Sequence, residues 1–132
     1  MGSGNTTKLA NQIIVAVNIA ALSEALVLAT KSGVNPENVY KAIRGGLAGS
    51  TVMDAKAPMM LDRNFDPGFR IELHIKDLTN AQNASKAVGM ELPMTDRVLD
   101  MMKKLQEEGL GKCDHAAVLR YYEEQENIEV KR

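Results

Sequence analysis

The stretch Lys8-Leu-Ala-Asn-Gln-Ile-Ile-Val-Ala-Val-Asn-Ile-Ala-Ala-Leu-Ser-Glu-Ala-Leu-Val-Leu-Ala-Thr-Lys31 decides the fold. Its apolar positions, Leu9, Ile13, Ile14, Val17, Ala20, Ala21, Leu22, Ala25, Leu28 and Ala29, cover most of a helical circumference, which marks a helix packed on several sides. Asn18, Ser23 and Glu24 interrupt its most apolar run, Ile13 to Ala29, whereas a bilayer span needs about 20 predominantly apolar residues. The segment therefore reads as the central post of a domain, with Gly33 as its stop. Gly2 to Asn5 reads as flexible and polar, with Asn5 or Thr6 as the helix cap. No basic region followed by an apolar block and cleavage site opens the chain, so no secretory signal is visible.

Working outward, Asn35 before Pro36 places a capping residue and then a proline at the first helical position. Val39, Tyr40 and Ile43 give the short amphipathic helix that follows, ending at Gly45-Gly46. Ser50 caps a third helix through Asp54 and Lys56, which Pro58 is expected to kink or end near Ala57 because it lacks a backbone donor. Asp62 to Phe69 reads as an irregular connection. From about Arg70 to Val88 the set Ile71, Ile75, Leu78 and Ala81 predicts a second long helix, closed by Gly89. Pro93 opens another carrying Met94, Val98, Leu99, Met102 and Leu105, with Gly109 past its end. Asp114 can cap a last one bearing Ala117, Val118, Tyr121 and Tyr122, and Glu123 to Arg132 reads as a solvated helix end and tail. No segment alternates long enough to make a strand and no repeat is apparent. The fold class is all-α, with about six helices packed around the long N-terminal one.

The 132 residues, 45% apolar and 25% charged, suit one globular domain. Sixteen basic against 17 acidic side chains leave a net charge of −1, so the positive field of a nucleic-acid binder is missing and no nucleic acid is expected as partner. The single Cys113 excludes an intramolecular disulfide and has no ligand neighbours at zinc spacing, which points to a reducing cytoplasm and to no metal. The eight methionines, Met59, Met60, Met101 and Met102 among them, read as adaptable core and interface filling.

Three positions carry the chemistry-bearing pattern. Lys8, Asn11 and Gln12 stand at i, i+3 and i+4, so they share one face of the first helix. One reading is a solvated first turn. The other is a proton donor beside substrate-orienting amides, since a lysine shut in a cleft becomes competent as a general acid or base. Gly2 and Gly4 precede that face and would let a ligand approach the backbone, although turns use glycine as often. Gly2-x-Gly4 is no dinucleotide fingerprint, because Thr7 replaces the third glycine and no strand precedes it. Lys76-Asp77 flanks the buried stripe of the second long helix, either as exposed charges or as a cleft-edge cation that meets a cofactor. His74 reads as a surface or capping residue, because of the i+3 and i+4 positions only Asp77 could join it as a metal ligand. Arg44 to Ser50 reads as a helix-to-helix turn, with an anion site at its helix start as the lesser option.

Gly2-Ser-Gly-Asn-Thr-Thr-Lys8-Leu-Ala-Asn11-Gln12 resembles the substrate and catalysis motif of the β-hydroxyacid dehydrogenases, the 3-hydroxyisobutyrate dehydrogenase family. Glu24-Ala-Leu26, Ala42 to Ser50, Asp62 to Arg70, His74-Ile-Lys-Asp-Leu78 and Gly109 to His115 extend the likeness in family order over essentially the whole chain, and look most like the semialdehyde-reducing members. The resemblance implies that residues 1–132 form a C-terminal helical substrate and dimerisation domain, similar to that of 6-phosphogluconate dehydrogenase. NAD or NADP would be held mainly by an N-terminal Rossmann domain absent from this chain. By the same likeness Lys8 matches the catalytic lysine, Asn11 the substrate-binding amide with Gln12 and Gly4 beside it, and Lys76 the lysine that approaches the cofactor, with Asp77 its acidic neighbour. Gln12 stands where many members carry Asn. The implied reaction is reversible reduction of a small semialdehyde to a hydroxyacid, with Lys8 giving a proton to the carbonyl oxygen, in a homodimer or larger homo-oligomer. The rival reading is a free-standing helical interaction module without catalysis. A metal-dependent hydrolase bundle is weaker still, for want of a Glu-x-x-His or His-x-x-x-His pair.

Overall fold

The computed structural model describes residues 2–132. Six α-helices follow one another: α1 (Gly2–Lys31), α2 (Pro36–Ile43), α3 (Thr51–Asp62), α4 (Ile71–Ala87), α5 (Pro93–Leu105) and α6 (Leu119–Glu126). A wide π-type turn over Gln106–Leu110 extends α5, and a 3₁₀ turn over His115–Val118 leads into α6. The punctuation works as the side chains dictate. Asn35 accepts the Glu37 and Asn38 amides ahead of Pro36, Ser50 accepts the Met53 amide, and Asp114 accepts the Ala116 amide. Gly33, Gly89 and Gly109 take the positive φ that ends or bends a helix at each site.

α1 is the central post. It packs against each of the other five α-helices and the 3₁₀ turn, with Ala16, Ile19 and Leu26 fully buried. By length and composition Gly4–Lys31 would be apolar enough to cross a membrane, but these contacts make it the core helix of the bundle. Around it sit Met60, Leu61, Ile71, Leu78, Leu99, Met102, Leu105 and Leu119, burial of each contributing on the order of 1.5–3 kcal/mol of transfer free energy.

Four expectations from sequence are corrected here. Helix α1 begins at Gly2, so residues 2–5 form its first turn and neither Asn5 nor Thr6 caps it; no proline intervenes, and extending a packed helix adds one hydrogen bond per residue fixed. Ile14, Ala21, Ala25 and Leu28 are exposed, so one side of the post is left open. Pro58 lies inside α3 without ending it, because Met53, Ala57, Met60 and Leu61 bury the helix on both sides of the lost hydrogen bond. The acidic tail is not solvated throughout. Glu123 is buried against Arg63, Val130 is fully buried, and the Arg132 guanidinium pairs with Asp62 and Glu37.

Candidate active site

Because Lys8, Asn11 and Gln12 share a face of α1 and that face meets α4, the three residues arrive where Asp77 arrives from the other helix. The Gln12 Nε2 donates to Asp77 Oδ2 at 2.8 Å, and the Asn11 Nδ2 donates to Gln12 Oε1 at 2.9 Å. The Lys8 Nζ stands 3.7 Å from the other carboxylate oxygen, Asp77 Oδ1. One buried carboxylate thus ties the amide relay to the ammonium. Gln12 spends both ends of its amide inside the cluster, as a bridge between the helices, while Asn11 and Lys8 are exposed.

The surroundings separate the two charges that sequence left side by side. Asp77 is 8% exposed, so it is not a surface charge. Lys76, about a hundred degrees round α4, is exposed and makes no ion pair among the described residues. Gly4 lies one turn before Lys8, and a Cβ there would meet nothing within 4 Å. The Lys8 side chain is 66% exposed, so the shielding cleft expected for it is not closed by this chain. An apolar groove of about 410 Å³ between α1, α5 and α6, lined by Val17, Ala21, Met94, Arg97, Tyr121 and Tyr122, contains none of the cluster. What the chain presents is a polar half-site on an open face.

Behind that half-site lies a pairing no spacing rule announces. His74, expected at the surface, is fully buried one turn before Asp77, and its Nδ1 is 2.8 Å from the Nδ1 of His115, the chain's other histidine. They meet because segments 65–72 and 111–115 are laced by backbone bonds from Ile71 N to Cys113 O, Glu72 N to Gly111 O and His115 N to Phe69 O. The Phe69 ring packs on both imidazoles, at 5.5 and 5.3 Å. The Nε2 of His74 reaches the Gln12 carbonyl oxygen at 3.0 Å. Burial holds both imidazoles below the usual histidine range, His115 down to about 3. Next door, burial works to raise the Asp114 pKa. The Phe69, Ala116 and Gly68 amides and the Lys56 ammonium at 3.0 Å outweigh it and keep the carboxyl below its usual range.

Comparison with known proteins fits this arrangement. The family model for the NAD-binding domain of NADP-dependent 3-hydroxyisobutyrate dehydrogenase matches residues 2–122. The chain is 42% identical over 122 residues to the 2-hydroxy-3-oxopropionate reductase of Escherichia coli, covering 92% of this chain and 42% of that protein. It is 33% identical over 130 residues to the 2-(hydroxymethyl)glutarate dehydrogenase of Eubacterium barkeri, covering 98% of this chain and 43% of that one. Among solved structures, the 3-hydroxyisobutyrate dehydrogenase of Salmonella typhimurium superposes with a TM-score of 0.85 at 28% identity, over 90% of this chain and 42% of its own. The chain therefore spans about two-fifths of the length of these relatives. With its helical bundle and nearly its full length matched, the chain belongs to the 3-hydroxyisobutyrate dehydrogenase family.

Proposed function

We propose that this chain is the helical substrate and dimerisation domain of an NAD(P)-dependent hydroxyacid dehydrogenase, whose nucleotide-binding domain lies outside these residues. The observation that carries the reading is the network Lys8, Asp77, Gln12, Asn11 on the open face between α1 and α4. It presents one ammonium and one free amide edge toward a space that a second domain can close. The 42% identity to a 2-hydroxy-3-oxopropionate reductase supports that semialdehyde, interconverted with glycerate, as the substrate.

In this reading Asn11 and the unobstructed backbone at Gly4 receive the substrate's oxygens. The Lys8 ammonium donates a proton to the carbonyl oxygen as it becomes an alcohol, and its positive charge stabilises the oxyanion that develops on the way, worth a few kcal/mol in a site shielded from water. Asp77, through Gln12 and Lys8 together, holds donor and amide in register. The exposed, unpaired ammonium of Lys76 fits the edge of an anionic nucleotide, and among the described residues no strand offers a dinucleotide cradle of its own. When bound, the nicotinamide supplies the hydride. The free Cys113 thiol goes with a cytoplasmic setting.

The test is an enzyme in which this chain is joined to its nucleotide-binding domain. Lys8→Ala is expected to lower kcat by about 10²- to 10⁴-fold with cofactor affinity kept, and 2-hydroxy-3-oxopropionate to be reduced faster than the semialdehyde of 3-hydroxyisobutyrate. Unchanged turnover in the variant removes Lys8 from the chemistry. A wild-type enzyme with no reductase activity leaves the interaction-module reading in its place.

A further inference from the structure

Gln12 is held twice, and the second hold comes from below. Its side chain bridges to Asp77, while its backbone carbonyl, already part of the hydrogen-bond ladder of α1, faces the Nε2 of His74 at 3.0 Å. A carbonyl oxygen only accepts, so the Nε2 of His74 carries the proton. A neutral imidazole has one such proton, which leaves the Nδ1 of His74 bare. The Nδ1 of His115, 2.8 Å away, must then be the donor. The direction of the whole chain, from His115 to His74 to the Gln12 carbonyl, is thereby fixed by the helix backbone.

We propose that His74, oriented by His115, is a positioning residue for the Lys8 site: it sets the pitch of the first turns of α1 against α4, and so where Lys8 and Asn11 point. The proposal rests on the reading of Lys8 as the proton donor. His74 and Asp77 are three residues apart on α4, so one face of that helix grips Gln12 by both backbone and side chain. The Gln12 amide and carbonyl are both held at hydrogen-bond distance from α4, whereas the Lys8 ion pair is long and exposed. The charged groups that act on the pair are Lys56 from α3, Asp77 from α4 and Asp114 ahead of the 3₁₀ turn, and the Phe69 ring of the preceding loop packs on both imidazoles. Burial keeps both rings neutral, which the single-proton relay requires.

The experiment compares His74→Leu with His74→Gln, whose amide nitrogen lies as many bonds from Cβ as Nε2 and can restore the donor to the Gln12 carbonyl. In the chain itself, ¹⁵N spectra at neutral pH should show His74 protonated on Nε2 and His115 on Nδ1. The Gln12 side-chain amide resonance should move in His74→Leu and return toward its wild-type position in His74→Gln. In the enzyme joined to its nucleotide-binding domain, His74→Leu should lower kcat on the order of 10- to 100-fold at temperatures where it stays folded, with cofactor KM unchanged, and His74→Gln should recover most of the loss. If His74→Leu fails to fold, His115→Ala is read in the same way. Histidines of the opposite tautomers, or a Gln12 amide unmoved by His74→Leu, overturn the proposal. A moved amide in a protein whose wild type reduces nothing upholds the positioning and overturns the reductase reading instead.

Discussion

Asp77 and Lys8 differ in what each owes to the fold. The carboxylate is buried and accepts from Gln12, whereas the ammonium is two-thirds exposed and 3.7 Å from its partner. Removing Lys8 leaves nothing buried unsatisfied, and Asp77→Ala strands the Gln12 amide. Thermal unfolding is expected to put Lys8→Ala within about 0.5 kcal/mol of wild type and Asp77→Ala about 1–3 kcal/mol below it. Equal losses would show that the ion pair, not the amide, carries the junction. The histidine pair gives the acid response. Both imidazoles are held below their usual 6.5, so the unfolded chain binds more protons than the native one as pH falls below 6.5, for His115 down to about 3. Their contribution is complete above pH 6.5 and is lost as pH falls through that window, by about 1.4 kcal/mol per pH unit for each proton of difference. Asp114, whose usual value is 3.8, adds its own loss only as pH falls below about that value, at the acid end of the window. Urea melts at pH 7, 6 and 5 check this, and His115→Phe should flatten the slope. A wild-type stability independent of pH between 7 and 5 contradicts the assignment.

Among the elements, two guanidiniums join α3 to the C-terminal tail, Arg132 paired with Asp62 and, less exposed, Arg63. Arg63 takes the left-handed conformation that ends α3, at φ 54°. From there its NH1 donates to Glu123 Oε2 at 2.7 Å and to the Val130 carbonyl at 2.8 Å, and its NH2 donates to Glu123 Oε1 at 3.0 Å. With Glu123 buried, Arg63→Ala leaves its carboxylate only the Val130 amide and the Arg120 guanidinium at 3.6 Å, and is expected to destabilise by about 2–3 kcal/mol. Chemical denaturation measures it, and limited proteolysis should then cut the tail after Asn127. A loss below 1 kcal/mol would show the tail is held by Val130 packing and the Arg132 contacts instead. Helix α3 carries an opposite liability. Pro58 costs an interior hydrogen bond, so Pro58→Ala should stabilise by about 1 kcal/mol or more after the entropy gained by the unfolded chain is set against it. A lowered Tm would mean the proline ring is itself needed in the core.

At the scale of the molecule, the open side of α1 is the feature left unfinished. Ile14 is 61% exposed and Leu28 67%, with Ala21 and Ala25 between them on the same helical strip. We expect a second copy of the chain to cover that strip, because apolar surface in a continuous stripe is removed from water by association. Sedimentation should show a dimer that Ile14→Glu together with Leu28→Glu converts to monomer. A wild-type monomer at high micromolar concentration argues against it. Calorimetry of this chain with NADH should show no strong binding, since the described residues form no dinucleotide cradle.

Read from sequence alone, the period of the apolar residues, the prolines at 36 and 93 and the glycines at 33, 89 and 109 already defined six helices around a long first one. These are local effects of backbone and helical repeat, and they need no partner to be legible. Lys8, Asn11 and Gln12 were equally visible as one face, because i, i+3 and i+4 spacing is geometry within a single helix. What that face would meet was not: Asp77 is buried and His74 paired with His115 only because α1, α4 and the loop at 111–115 converge, 41 residues separating the two histidines in the chain. The same holds for Glu123, which reads as one of a run of surface acids until Arg63, 60 residues earlier, is folded against it. Burial of a charge is decided by what packs on it from a distance, and a one-dimensional pattern carries no record of that contact.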